Sequence, residues 1–169
     1  RLNGQVWKFD SDNVGTVFLT GLVNPLDVTV DENGNVYVLG RCSGNFNLFC
    51  STTWVKKFGS DGTLLATSPA TAIMYGMALT YYGGQIFALQ VFYTAANTKV
   101  VILDASDLSK DDSFTYGNGK ARNYFWEDLD ADDDTGDIWM IWRHYSQSTL
   151  RKYTRDGNGG YSSGSSGYT

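Results

Sequence analysis

The chain has 169 residues, 42% of them hydrophobic and 18% charged, with a formal net charge of −5. That balance excludes an intrinsically disordered chain, and no apolar run approaches the roughly 18 residues that a transmembrane helix needs. The acidic surplus and the scatter of the 13 Lys and Arg residues speak against a nucleic-acid partner, because phosphate binding needs a basic surface.

The acidic residues are 16 Asp and only 2 Glu, alongside 19 Gly. Glu favours helices, whereas Asp and Gly favour caps and turns. With Val, Thr and aromatics plentiful, this composition predicts an all-β fold with many tight turns. The chain begins at Arg1 with no basic or apolar leader, and is expected to be a processed product or a fragment.

In chain order, Val6 to Asn13 reads as a strand running into a turn, and Thr16 to Thr20 as the next strand. Leu26 to Val30 alternates apolar Leu26, Val28 and Val30 with polar Asp27, Thr29 and Asp31, which predicts a half-buried strand. Gly34 then opens a strand through Val38. Cys42 and Cys50 bracket the following loop, Arg41 to Thr52. A loop whose ends approach one another suits a disulfide, worth about 2–3 kcal/mol by loop entropy. The alternative is two free thiols in a cytosolic protein, whereas the bridge implies an oxidising compartment.

Val55 to Gly62 repeats the first strand and turn, and Thr63 to Thr67 follows it. Met77 to Tyr81, Gly84 to Ala88 and Val100 to Asp107 make the next strands, with Asp112 to Tyr116 a weaker fourth. Trp126 to Ala131, Gly136 to Met140 (the latter strand ending near Trp142) and Leu150 to Gly157 repeat the order. Residues 158–169, rich in Gly, Ser and Tyr, read as a tail.

Two motifs recur in phase. Phe9, Phe58, Leu103 and Tyr153 lie 49, 45 and 50 residues apart, and Gly34, Gly84 and Gly136 lie 50 and 52 apart. Each Gly follows a turn that needs a positive φ. The unit is four strands in about 48 residues, the spacing of propeller blades rather than of a β-sandwich. The units are 1–23 (partial), 24–70, 71–121 and 122–157, or roughly three blades. Closed propellers have typically four to eight blades, so one copy resembles half a ring with unpaired edges. Such a chain is expected either to belong to a longer polypeptide or to assemble with other chains, copies of itself included.

The run Asn24 to Val38 followed by Trp54 to Gly62 resembles the NHL-type propeller repeat: a Pro turn, a strand, an Asp-x-x-Gly turn, then two more strands. The later copies lack the Pro and match in outline. The resemblance implies a propeller, a fold shared by binding modules and some metal-dependent hydrolases, so it leaves activity open.

The acidic run from Asp128 to Asp137 is the sharpest local feature. Asp130, Asp132 and Asp134 alternate as carboxylates do in calcium loops, and Asp137 follows, which nominates these four as calcium ligands. The competing reading is a solvated turn like Asp31 to Gly34, since Gly136 falls one place late and no Glu closes the loop. His144, the sole His, is placed on a loop without a recognisable nucleophile or triad partner. Dense aromatics, Trp7, Trp54, Trp126, Trp139 and Trp142 among them, are expected mostly between blades, with some available to stack on glycans or proteins.

The sequence reading is thus a non-enzymatic, extracellular structural or interaction module whose partners are other protein chains or glycans. The alternatives are a fragment of a six-bladed, metal-dependent, lactonase-like hydrolase, or a carbohydrate-binding propeller lectin.

Overall fold

The computed structural model describes residues 4–41, 53–69, 73, 76–90, 98–116, 125–144, 147–157 and 160–163. Its elements are strands in antiparallel sheets. β1 (Gly4–Phe9) and β2 (Gly15–Leu22) form a two-stranded sheet. β3 (Pro25–Val30), β4 (Val36–Arg41), β5 (Thr53–Phe58) and β6 (Leu64–Thr67) form a four-stranded meander. β7 (Gly76–Tyr82), β8 (Gln85–Gln90), β9 (Thr98–Asp104) and β10 (Lys110–Tyr116) form a second. β11 (Phe125–Ala131), β12 (Ile138–His144), β13 (Gln147–Arg155) and β14 (Tyr161–Ser163) form a third.

The repeat seen in the sequence is the repeat of the fold. Phe58, Leu103 and Tyr153 each sit opposite a residue at the start of the neighbouring strand: Val36, Ile86 and Ile138 respectively. Gly34, Gly84 and Gly136 take φ of 77°, 82° and 71°, which a side chain would resist. The first strand of each four-stranded sheet carries an irregularity at the same place, between Pro25 and Asp27, Gly76 and Ala78, and Trp126 and Asp128.

Asp is abundant because it builds the turns. Asp10, Asp31, Asp61, Asp104, Asp107, Asp132 and Asp156 each accept a backbone N–H two to four residues ahead through a side-chain oxygen. Glu, one methylene longer, fits that short return less well.

The sheets pack face to face, so the middle strands are buried on both sides. On β4, Tyr37 and Leu39 join Val55, Ile86, Val101 and Leu103 in one cluster, while Val36 and Val38 meet Leu19 and Leu22 in another. On β8, Ile86 and Ala88 face the first of these clusters, and Phe87 and Leu89 face Leu129, Ile138 and Met140. Each fully buried Leu, Ile or Phe side chain contributes about 1.5–3 kcal/mol.

Three expectations need correcting. The apolar side of β3 is the uncovered one: Leu26, Val28 and Val30 are exposed while Asp27 and Thr29 are partly covered. Their polar face lies toward the next sheet, where Asp27 Oδ2 accepts the Leu79 N–H at 2.7 Å. β12 runs on to His144, which pairs with Gln147, so His144 ends a strand rather than sitting on a loop. The stretch set apart as a tail contains β14, whose Tyr161 pairs with Arg155.

Candidate functional site

Two features could carry function: a group of carboxylates on the first strands of successive sheets, and the uncovered faces at either end of the stack. The first strands β3, β7 and β11 lie side by side. The polar face of β3 places Asp27 among them. Its Oδ1 accepts the Val28 N–H at 2.8 Å and its Oδ2 the Leu79 N–H. Burial pushes the Asp27 carboxyl above its ordinary range, and the nearby Asp128 and Asp130 carboxylates add to that, against the lowering effect of the two N–H groups. One strand further on, Thr80 Oγ1 donates to Asp130 Oδ1 at 3.0 Å, and Asp128 Oδ1 accepts the Leu129 N–H. The Asp27–Leu79 and Asp130–Thr80 bonds join neighbouring sheets through their first strands.

The four nominated calcium ligands run from β11 through the turn to the start of β12. Asp130 sits on β11 opposite Trp139. Asp132 Oδ1 accepts the N–H groups of Thr135 and Asp134, and these bonds, Thr135's first, hold its carboxyl low. Asp134 is exposed at the turn. Asp137 is buried; its Oδ2 lies 2.6 Å from Lys152 Nζ and its Oδ1 accepts the Arg155 N–H. The Lys152 hydrogen bond leads in lowering the Asp137 carboxyl, against burial. Among the described residues no group of three or more His, Cys, Asp or Glu is arranged to hold a metal ion. Cys42 and Cys50 lie outside the described residues.

A polar link between sheets that the sequence did not suggest centres on Tyr37. Its hydroxyl stands 3.0 Å from both Asp31 Oδ2 and the Ala105 carbonyl, to which Lys57 Nζ also donates at 2.9 Å. Burial, then the Asp31 bond, pushes the Tyr37 hydroxyl well above its ordinary range. Burial alone would raise Asp31, but the bonds from Asn35, Tyr37 and Asn33 outweigh it and hold that carboxyl low. The only sequence signal was a Tyr inside an otherwise aliphatic buried strand.

The end faces differ from the interior. Trp7, Phe9 and Val17 are exposed on the two-stranded sheet, and Leu26, Val28 and Val30 beside it on β3. At the other end of the stack Ile141 and Leu150, opposite each other on β12 and β13, are exposed, and Trp139 is half-buried with Lys152 Nζ 5.4 Å from its ring centre. Trp54 is also half-buried, its indole N–H donating to the Arg41 carbonyl at 3.2 Å. Among the aromatics that pack between sheets are Tyr37, Phe58, Phe87 and Tyr153.

No protein-family profile and no curated protein matches the sequence. Among solved structures, a chain in the crystal structure of a nidogen/laminin complex superposes with a TM-score of 0.56 at 11% identity. The match covers 88% of this chain and 51% of that one, so the chain spans about half the neighbour's length. The likeness shows the fold: an all-β, propeller-like stack of about three four-stranded blades.

Proposed function

We propose that the chain is a non-enzymatic structural and interaction module, working in an extracellular assembly as one part of a larger propeller. The observation that carries this reading is the pair of apolar end faces, Trp7, Phe9 and Val17 at one end and Ile141 and Leu150 at the other. Exposed apolar surface of this kind marks protein contacts. The structural neighbour, solved as part of a protein–protein complex, supports protein partners for the fold. The extracellular setting rests on the pairing expected of Cys42 with Cys50. The test is the native mass of the protein from its source against its denatured chain mass. A native mass well above 18.7 kDa supports the module reading; a native mass of 18.7 kDa sinks it.

A further inference from the structure

The two-stranded sheet is half a blade, and its place in the stack says which half. Its covered face lies on the second face of the β3–β6 sheet, through Leu19 and Leu22 against Val36, Val38 and Phe58. β1 and β2 repeat the sequence of β5 and β6, the outer strands of the next blade, and among the described residues β1 pairs only with β2. Its inward edge is therefore a row of unpaired backbone groups, a template for a further strand. Beside that edge lie Val28 and Val30. They sit opposite Val38 and Val36 in the β3–β4 ladder, and so on the face that the half blade covers further out. Val36 and Val38 are 9% and 0% exposed, whereas Val28 and Val30 are 46% and 54% exposed. One continuous apolar face is thus covered over its outer half and open over its inner half.

We propose that a β-hairpin docks there, pairing with the free edge of β1 and laying an apolar face over Leu26, Val28 and Val30, and that it is supplied by the polypeptide carrying the remaining blades of the ring. This rests on the module reading above and names its docking surface. The occupant needs the chemistry of an inner blade hairpin: two antiparallel strands, the second turning apolar side chains toward β3 and β4, as β4 turns Tyr37 and Leu39 toward Leu79, Ile86 and Ala88 of the sheet that follows it. A second copy of this chain does not fit. Its inner hairpins, β3–β4, β7–β8 and β11–β12, are each already paired into their own four-stranded sheets. The structural neighbour, about half of whose chain this one matches, holds as much polypeptide again.

The test compares the assembly isolated from its source with the 169-residue chain alone, by hydrogen exchange and hydroxyl-radical footprinting. In the assembly, the β1 amides not bonded to β2 exchange at least tenfold more slowly, and Leu26, Val28 and Val30 are shielded from radical attack. The double variant Val28→Asp/Val30→Asp, at two exposed positions, melts as the parent chain does yet loses at least tenfold in affinity for the polypeptide co-isolated with the chain. Equal labelling of β1 and β3 in the two samples overturns the proposal and leaves the module reading standing if the native mass is high. An assembly made only of copies of this chain overturns the assigned occupant. A native mass of 18.7 kDa overturns both.

Discussion

Phe58 and Phe9 occupy the same place in the repeat, yet Phe58 is 7% exposed and Phe9 63%. Both end the third strand of a blade and precede an Asp-containing turn. Phe58 faces Val36 across a ladder, with the half blade behind it. Phe9 belongs to a sheet that has no counterpart of β4 among the described residues. The contrast teaches that burial in this fold is a property of the neighbouring sheet. A side chain identical in type and position is core in one blade and surface in another.

The largest effect should come from the enclosed middle sheet. Phe87→Ala is expected to cost about 3–5 kcal/mol in urea unfolding, because Phe87 is fully buried between two sheets. Phe9→Ala should cost less than about 0.5 kcal/mol. A Phe9 cost as large as that of Phe87 would mean the half blade is already covered, and the contrast would fail.

The turn glycines sharpen it next. Gly136→Ala meets two penalties: a positive φ, and a new methyl that collides with the Tyr82 ring of the adjacent blade. Gly84→Ala meets only the φ penalty, since nothing lies near. Loss of about 1 kcal/mol is expected for Gly84→Ala and clearly more for Gly136→Ala; equal losses in thermal melts would remove the inter-blade contact from the account.

Tyr37→Phe deletes a hydroxyl that joins two sheets and should cost about 1 kcal/mol. The loss stays modest because Lys57 still donates to the Ala105 carbonyl and Asn33 and Asn35 still serve Asp31. A loss beyond about 3 kcal/mol would show that the hydroxyl supports more than these bonds.

Two aspartates separate by the sign of their pH dependence. The Asp137 carboxyl is held low in the fold, so its contribution is complete above the unfolded value of about 4 and lost as pH falls through the folded value. Asp137→Asn should therefore flatten the acid limb of the stability curve. The Asp27 carboxyl is raised, so the fold loses stability as pH rises from about 4 through its folded value. Asp27→Asn should remove that loss, and the same pH slope in both variants would contradict the assignment.

The smallest effect expected is that of a chelator. The carboxylates of Asp132 and Asp137 already accept backbone N–H groups and the Lys152 ammonium. EGTA should leave the melting temperature unchanged, and a clear fall would show that the acidic turn holds an ion.

Much of this is legible in the sequence. Local rules determined the turns, because an Asp or a positive-φ Gly acts within four residues. Repeat phase determined the blade unit, because the same four-strand order recurs wherever the same neighbours do. What failed was the sense of β3. Alternation shows that a strand has an apolar side, but which side is covered depends on the sheet beyond it. Here Asp27 and Thr29 turn toward β7, and Leu26, Val28 and Val30 toward a face that the half blade does not reach. The acidic turn shows the same dependence: spacing brings Asp130, Asp132, Asp134 and Asp137 close in the chain, while the β12–β13 hairpin brings Asp137 to Lys152 and packing between sheets brings Asp130 to Thr80. The sequence by itself determined strands, turns and their period, which depend on local backbone preference. Only the tertiary structure decided which faces are covered and which carboxylates are occupied, because those depend on contacts between sheets that lie about 50 residues apart in the chain.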